Sequence, residues 1–429
     1  MTPLDAFPPT REAALARIAA VRPADYARSR NAIEGAVTHL SPYITHGLVN
    51  LPEVLAGVSA RHLLDVQHKF VFELGWREYF RHVWRHCGVG ILASLHQGLL
   101  PDDDYGAGLP LDIRQARTGV PAIDVAVRTL YDSGTLHNHA RMWLASYLVH
   151  LRKVHWRVGA DWLYGHLLDG DLASNHLSWQ WVAGTGSRKP YLFNADNVAR
   201  FAPAAWHSPD SVIDTSYEAL DRIARQPVRA GPAESVMPTG YPVQVEPPLL
   251  TDPSPELAVT VPDAVAVAGR NVWLVHPWNL GELPQTLPAD TLVIGVFVAD
   301  FHQAWPWNER RWHFVASRMA ELAAQCWYAD AAAIGAALKG ARQVRSIDEP
   351  HLQPWLASLA ACMPAPTLFP SVEQRCDSFS QWWTRALRGL HSTAELLERQ
   401  QAPGWWTKET VKDQPRTAGF QNNGGAGGI

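Results

Sequence analysis

Cysteine is scarce in this 429-residue chain: Cys87, Cys326, Cys362 and Cys376 stand far apart, with no C-x-x-C pair. That argues against a disulfide framework, a structural zinc site and a closely ligated iron–sulfur cluster, so no metal is expected. No run of about 20 apolar residues occurs, and no membrane span is expected. The first residues, MTPLDAFPPTREAALARIAA, carry acids, prolines and arginines where a signal peptide needs an apolar core. The cytoplasm is therefore the expected compartment. Neither a Walker loop nor a G-x-G-x-x-G occurs, which removes the common nucleotide fingerprints. A net charge of −4 excludes a histone-like polycation, so any nucleic-acid contact must rest on a local patch.

What is abundant is tryptophan, 19 residues in a chain long enough for two cores. The chain is organised around residues 134–193. Two helical patterns stand out there, HNHARMWLASYLVHLRKVHWR and DLASNHLSWQWVAG, separated by the turn-bearing VGADWLYGHLLDG. Asn138 and Asp171 are the expected N-caps, and Gly184 ends the second helix. Helical spacing brings Asp171, Asn175 and Trp179 to one face. Carboxylates buried beside arginine and tryptophan need partners, and a large polar cofactor between two helices would supply them. Upstream, HKFVFELGWREYFRHVWRHCG is a strong helix whose stripe Phe72, Trp76, Tyr79, Phe80, Trp84 reads by itself as core.

The pattern divides the chain. Residues 1–224 read as a helical domain, 225–265 as a proline-rich extended linker, and 411–429 as a disordered tail. Between them, over 266–400, the strand-like runs NVWLVH, TLVIGVFVAD and QCWYAD alternate with helical segments. That alternation predicts a small parallel α/β, Rossmann-like domain.

Several blocks also resemble a known family. Asn138-His139-Ala140-Arg141-Met142, Asp169-Gly170-Asp171 with Asn175, and Trp179-Gln180-Trp181 are similar, in order and spacing, to the flavin-binding helical domain of the DNA photolyases and cryptochromes. Thr38-His39-Leu40-Ser41-Pro42-Tyr43 resembles the loop that wraps the flavin diphosphate, with His39 where arginine is usual. Glu73, Trp76 and Arg77 match a further block. The PYLFN segment at 190–194 is shorter than the family's version.

The resemblance implies an all-helical FAD-binding domain, with one non-covalent FAD held by residues 26–200 alone. Its cofactor contacts would be Tyr26, Thr38, His39, Leu40, Ser41, Arg77, Asn138, Arg141, Asp169, Asp171 and Asn175. Arg141 and Asp169 would pair beside the ring, Asp171 would hydrogen-bond its edge, and Asn175 would face its N5. Trp179 and Trp156, 23 positions apart, would relay electrons, while DDDYGAGLPLDIRQA lacks the third relay tryptophan. Tyr105 or a tryptophan from elsewhere could replace it. Glu73, Trp76, Met142 and Trp181 would line a pocket for a flipped lesion, with Arg28, Arg30, Arg152, Lys153, Arg188 and Lys189 as candidate phosphate contacts.

The implied activity is blue-light repair of pyrimidine dimers in UV-damaged DNA by a monomer. The alternative is a cryptochrome-like receptor that binds FAD without repair. The α/β domain resembles, loosely, the family's antenna domain in permuted order, with no antenna chromophore identifiable.

Overall fold

The computed structural model describes residues 6–227 and 243–399. The expected tail at 411–429 and the linker segment 228–242 lie outside the described residues.

Helices dominate the first half. The longest, Lys69–Cys87, starts where the His68 ring accepts the Phe70 amide at 3.1 Å. It buries Phe70, Val71, Leu74, Gly75, Tyr79, His82 and Val83, and stops at Gly88, whose φ of 54° suits glycine. The central stretch is more broken than its apolar period suggests. The Asn138–Ser146 helix is capped by the His137 ring, not by Asn138, which is its first residue. It runs into a π-turn over Tyr147–Leu151, closed by Arg152 N–H on Tyr147 O at 3.0 Å. Lys153 then turns with φ 51°, and a new helix runs Trp156–His166, through the segment expected to be a turn. Asp171 does cap the Leu172–Ala183 helix, through Ser174 N at 2.8 Å, and Gly184 ends it with φ 81°.

The second half is built on strands β1 (Leu249–Leu250), β2 (Val259–Thr260), β3 (Asn271–Val275), β4 (Leu292–Val298), β5 (Trp307–Asn308), β6 (Gln325–Ala329), β7 (Gln343–Ile347) and β8 (Ala361–Met363). Six of them form a fully parallel sheet in the order β2-β6-β4-β3-β7-β8. The chain winds outward from β3 through β4 to β6, then returns to place β7 and β8 on β3's other side. The topological switch point therefore lies between β3 and β7. Two strands, β1 and β2, fall inside the stretch read as linker, and β2 is an edge strand of the sheet.

The helices Phe379–Ala386 and Thr393–Glu398 leave the α/β unit and pack back on the helical one. Trp383 Nε1 reaches Gln67 Oε1 at 3.1 Å, and Thr393 Oγ1 reaches Leu64 O at 3.1 Å. One hydrophobic cluster consequently runs through both units, from Val54, Phe70 and Leu172 to Trp307, Phe314 and Trp383. The second cluster fills the space among the central helices around Trp143, Leu148, Trp156 and Trp179.

Candidate functional site

The expected cofactor residues converge where the short Ser41–Thr45 helix, the Lys69–Cys87 helix, the Asn138–Ser146 helix and the Asp169-Gly170-Asp171 turn meet. Arg77 ties them together: its guanidinium donates to Ser41 Oγ at 2.6 Å and to Thr45 Oγ1 at 3.2 Å. Thr45 Oγ1 in turn reaches Asp169 O at 3.3 Å. Arg141 grips both Asp169 oxygens from Nη2 at 2.8 and 2.9 Å and donates from Nε to Leu136 O. Burial opposes ionisation of Asp169, but Arg141 outweighs it and holds the carboxyl below its ordinary range.

Asp171 is also buried, and Arg81 reaches it at 2.7 Å. Burial again opposes its charge, and Arg81 and the Ser174 N–H keep it ionised. Buried carboxylates held in this way are strongly committed to their partners. Asn175 donates Nδ2–H to Ala160 O at 2.8 Å, which leaves its amide oxygen as an acceptor.

The loop residues surround this network more openly. Thr38 Oγ1 accepts Leu40 N–H, His39 is exposed with φ 51°, and Leu40 is buried. Tyr26 packs edge-on to Phe70, and burial raises its phenol pKa. Asn138 is exposed beside Met142. The set pairs hydroxyls and arginines with two ionised carboxylates, largely at half-exposed positions. That chemistry fits a diphosphate joined to a heteroaromatic edge, so the residues present suit FAD.

Trp179 and Trp156 are both buried, at 3% and 2% exposure. Trp179 lies so close to Gly159 that a Cβ there would come within 2.3 Å of the indole. Trp156 donates Nε1–H to Ser94 Oγ at 2.9 Å. Two ring contacts lead outward from Trp156. One runs through His155, centroids 5.7 Å away, to Tyr105 a further 6.3 Å on. The other runs through His176 at 6.3 Å to Trp305, whose ring lies 5.5 Å from that histidine. Trp305 comes from the α/β half and is half-buried, which sequence order alone does not reveal.

The expected lesion residues are less open than anticipated. Phe379 lies parallel on Trp76, so one face of that platform is covered by protein. Glu73 Oε1 pairs with Lys69 at 3.0 Å and lies 3.4 Å from Arg30. Trp181 is 41% exposed and stacks on Tyr191, with Arg188 and Lys189 exposed close by in sequence.

Two of the six expected phosphate contacts are structural instead. Arg152 is bidentate to Asp112, and buried Lys153 donates to Ile223 O and Ala224 O at 2.7 Å, capping the Tyr217–Ala224 helix.

Residues 26–200 do not complete the network by themselves. Arg81 also donates to Glu349 Oε1 at 2.5 Å, and Arg311 from the α/β unit donates to Gly170 O at 2.5 Å. Among the described residues no group of three or more His, Cys, Asp or Glu could hold a metal ion, and no helix is long and apolar enough to cross a membrane.

Residues 70–205 match the family described as the FAD binding domain of DNA photolyase. The deoxyribodipyrimidine photo-lyase of Synechococcus sp. is 34% identical over 190 residues, which is 41% of this chain and 39% of that protein. The Streptomyces griseus protein of the same name is 34% identical over 172 residues, 38% of this chain and 36% of its own. The chain thus spans well under half the length of these relatives. Among solved structures, the Synechocystis sp. cryptochrome is 28% identical at a TM-score of 0.40, covering 45% of this chain and 43% of its own. A class III photolyase from Agrobacterium tumefaciens is 25% identical at 0.39, covering 51% and 50%.

Proposed function

We propose that this chain, whose helical unit belongs to the DNA photolyase and cryptochrome family, is a FAD-dependent, blue-light-driven photolyase-type lyase acting on UV-induced pyrimidine damage in DNA. The observation that carries the reading is the continuous network Ser41–Arg77–Thr45–Asp169–Arg141, in a chain that also buries Trp179 and Trp156. It joins, in one site, the residues that the family's cofactor chemistry needs. When bound, FAD supplies light-driven single-electron transfer, and the protein's part is binding, orientation and electrostatics.

In this reading Arg77, Ser41 and Thr38 hold the diphosphate, while Arg141, Asp169, Asp171 and Asn175 orient the ring. Glu73, when protonated, donates a hydrogen bond to a lesion carbonyl, a preorganised contact where negative charge develops. Trp76 and Trp181 offer aromatic surface to an extruded base. Exposed Arg188 and Lys189 supply phosphate contacts beside Trp181. The protein acts as a cytoplasmic monomer, and the α/β half is a permuted counterpart of an antenna domain.

One observation favours the second reading, a cryptochrome-like receptor that binds FAD without repair: Phe379 covers a face of Trp76, where a flipped base would stack. The deciding experiment illuminates the reduced holoprotein with oligonucleotides carrying cyclobutane dimers or six–four products, single- and double-stranded. Loss of either lesion supports repair. Both lesions intact, with FAD bound, leaves the receptor.

A further inference from the structure

In a doubly wound sheet, ligands enter the crevice beyond the carboxyl ends of the strands at the switch point. Here that crevice lies past β3 and β7, where the chain continues as His276-Pro277-Trp278 and Asp348-Glu349-Pro350-His351. Protein fills it, and the protein comes from the helical unit. Arg81 enters to bond Glu349 Oε1 at 2.5 Å, Trp84 sets its ring edge-on to His351 at 4.8 Å, and Leu172 N–H donates to His351 Nε2 at 3.2 Å.

The hydrogen bonds define the state of this cluster. Because Leu172 donates to Nε2, that nitrogen carries no proton, so the His351 proton sits on Nδ1 and is donated to Glu349 Oε1 at 2.6 Å. Trp278 stacks on the same imidazole, centroids 4.3 Å apart and planes 11° from parallel, which fixes its tilt. Burial opposes the Glu349 charge, but Arg81 and His351 together hold its pKa down to about 2. A single guanidinium therefore spans two buried carboxylates: Glu349 from the α/β unit, and Asp171 from the cofactor turn at 2.7 Å. His351 Nε2 stands 3.8 Å from the same Asp171 oxygen.

We propose that Glu349 and His351 are positioning residues of the cofactor site, acting on Asp171 through Arg81, so that the α/β unit completes the FAD pocket from behind. The inference rests on the FAD reading above. His351 orients Glu349, Glu349 holds one end of Arg81, and the other end holds Asp171 in the orientation that meets the cofactor. Without the anchor at Glu349, the guanidinium can swing and Asp171 keeps only its bond from the Ser174 N–H, which leaves Oδ2 unheld.

The test titrates FAD into the full-length apoprotein, following quenching of flavin fluorescence. Glu349→Gln keeps the shape but removes the charge, and should weaken FAD binding about tenfold, the scale of one hydrogen bond to a charged group. A double-mutant cycle separates positioning from mere packing. In an Arg81→Met background the same change should cost less than about twofold, because the link to Asp171 is already gone. If Arg81→Met does not fold, Arg81→Lys serves, since a lysine cannot span both carboxylates, and the expected cost there is again small.

Unchanged affinity in Glu349→Gln overturns the proposal. So does an equal loss in both backgrounds, which would mark Glu349 as a packing residue. Wild-type protein that binds no FAD overturns the cofactor reading itself, a result distinct from either.

Discussion

Phe379 lies flat against Trp76, ring centroids 4.1 Å apart and planes 13° from parallel. The contact belongs to a larger seam: Trp383 packs so tightly over Gly75 that a Cβ there would lie 2.5 Å from its ring. The helix Phe379–Ala386 thus closes the face of the Lys69–Cys87 helix on which a base would stack. Phe379→Ala should uncover that face of Trp76. Base–aromatic stacking is worth about 1–3 kcal/mol, so affinity for a lesion-bearing oligonucleotide should rise correspondingly. Thermal stability should fall, by up to about 3–5 kcal/mol for a buried phenylalanine. Fluorescence anisotropy with damaged and undamaged strands checks the first effect. A destabilised variant with unchanged DNA affinity would show that Trp76 is core only.

The same seam carries a pH dependence. Glu78 accepts the backbone N–H groups of Leu368 and Phe369, and burial pushes its pKa from 4.5 up to about 7. A raised folded-state value means that folding takes up a proton between these two pH values. The stability from protonated Glu78 is therefore full below pH 4.5 and is lost as pH rises towards about 7. Glu78→Gln, which cannot ionise, should flatten the melting temperature against pH in that window. An unchanged slope would place the titration elsewhere.

Much of the site was legible from sequence, because helical spacing and the Asp169-Gly170-Asp171 turn constrain their neighbours locally. The Asp171 cap follows from residues close in the chain, whereas the Arg141–Asp169 pair, 28 positions apart, rests on the family resemblance. The central helix breaks were not legible. Apolar residues recur at helical spacing from Trp143 to Trp156, and neither the π-turn nor the positive φ at Lys153 leaves a glycine or proline signal.

Residues brought in from afar were also missed. Arg81 follows Arg77 by one helical turn and could have been suspected as a second cation on that face. Glu349, His351, Arg311 and Phe379 meet the site only through the sheet order and the return of the chain after β8. The stretch read as linker was misjudged because β1 and β2 are two residues each, too short to show alternation.

Gly159 offers a test of packing around Trp179 that leaves the indole in place. A methyl there would meet the ring at 2.3 Å and Leu148 at 3.1 Å, so the tryptophan must shift. Gly159→Ala should cost about 1–3 kcal/mol in stability, as overpacked cores do. A melting temperature equal to wild type would mean that the ring moves aside without strain.

The last prediction concerns the way out from Trp156. Blue light and a thiol should reduce bound FAD, and Trp179→Phe and Trp156→Phe should each slow this severely, because phenylalanine is much harder to oxidise than tryptophan. Beyond Trp156 the two ring contacts differ in chemistry. Tyr105 must release its phenolic proton to stay oxidised, and burial raises its pKa, which opposes that loss. Trp305 needs no such transfer, but Arg157 lies over its ring at 5.3 Å and disfavours a positive charge there. That arginine is paired with Asp161, which also binds His176 at 2.8 Å, so the local field is largely balanced. The balance favours Trp305. Photoreduction should therefore slow more in Trp305→Phe than in Tyr105→Phe, with FAD content unchanged in both. The reverse order would assign the exit to Tyr105, and two wild-type rates would mean that electrons reach Trp156 by neither ring.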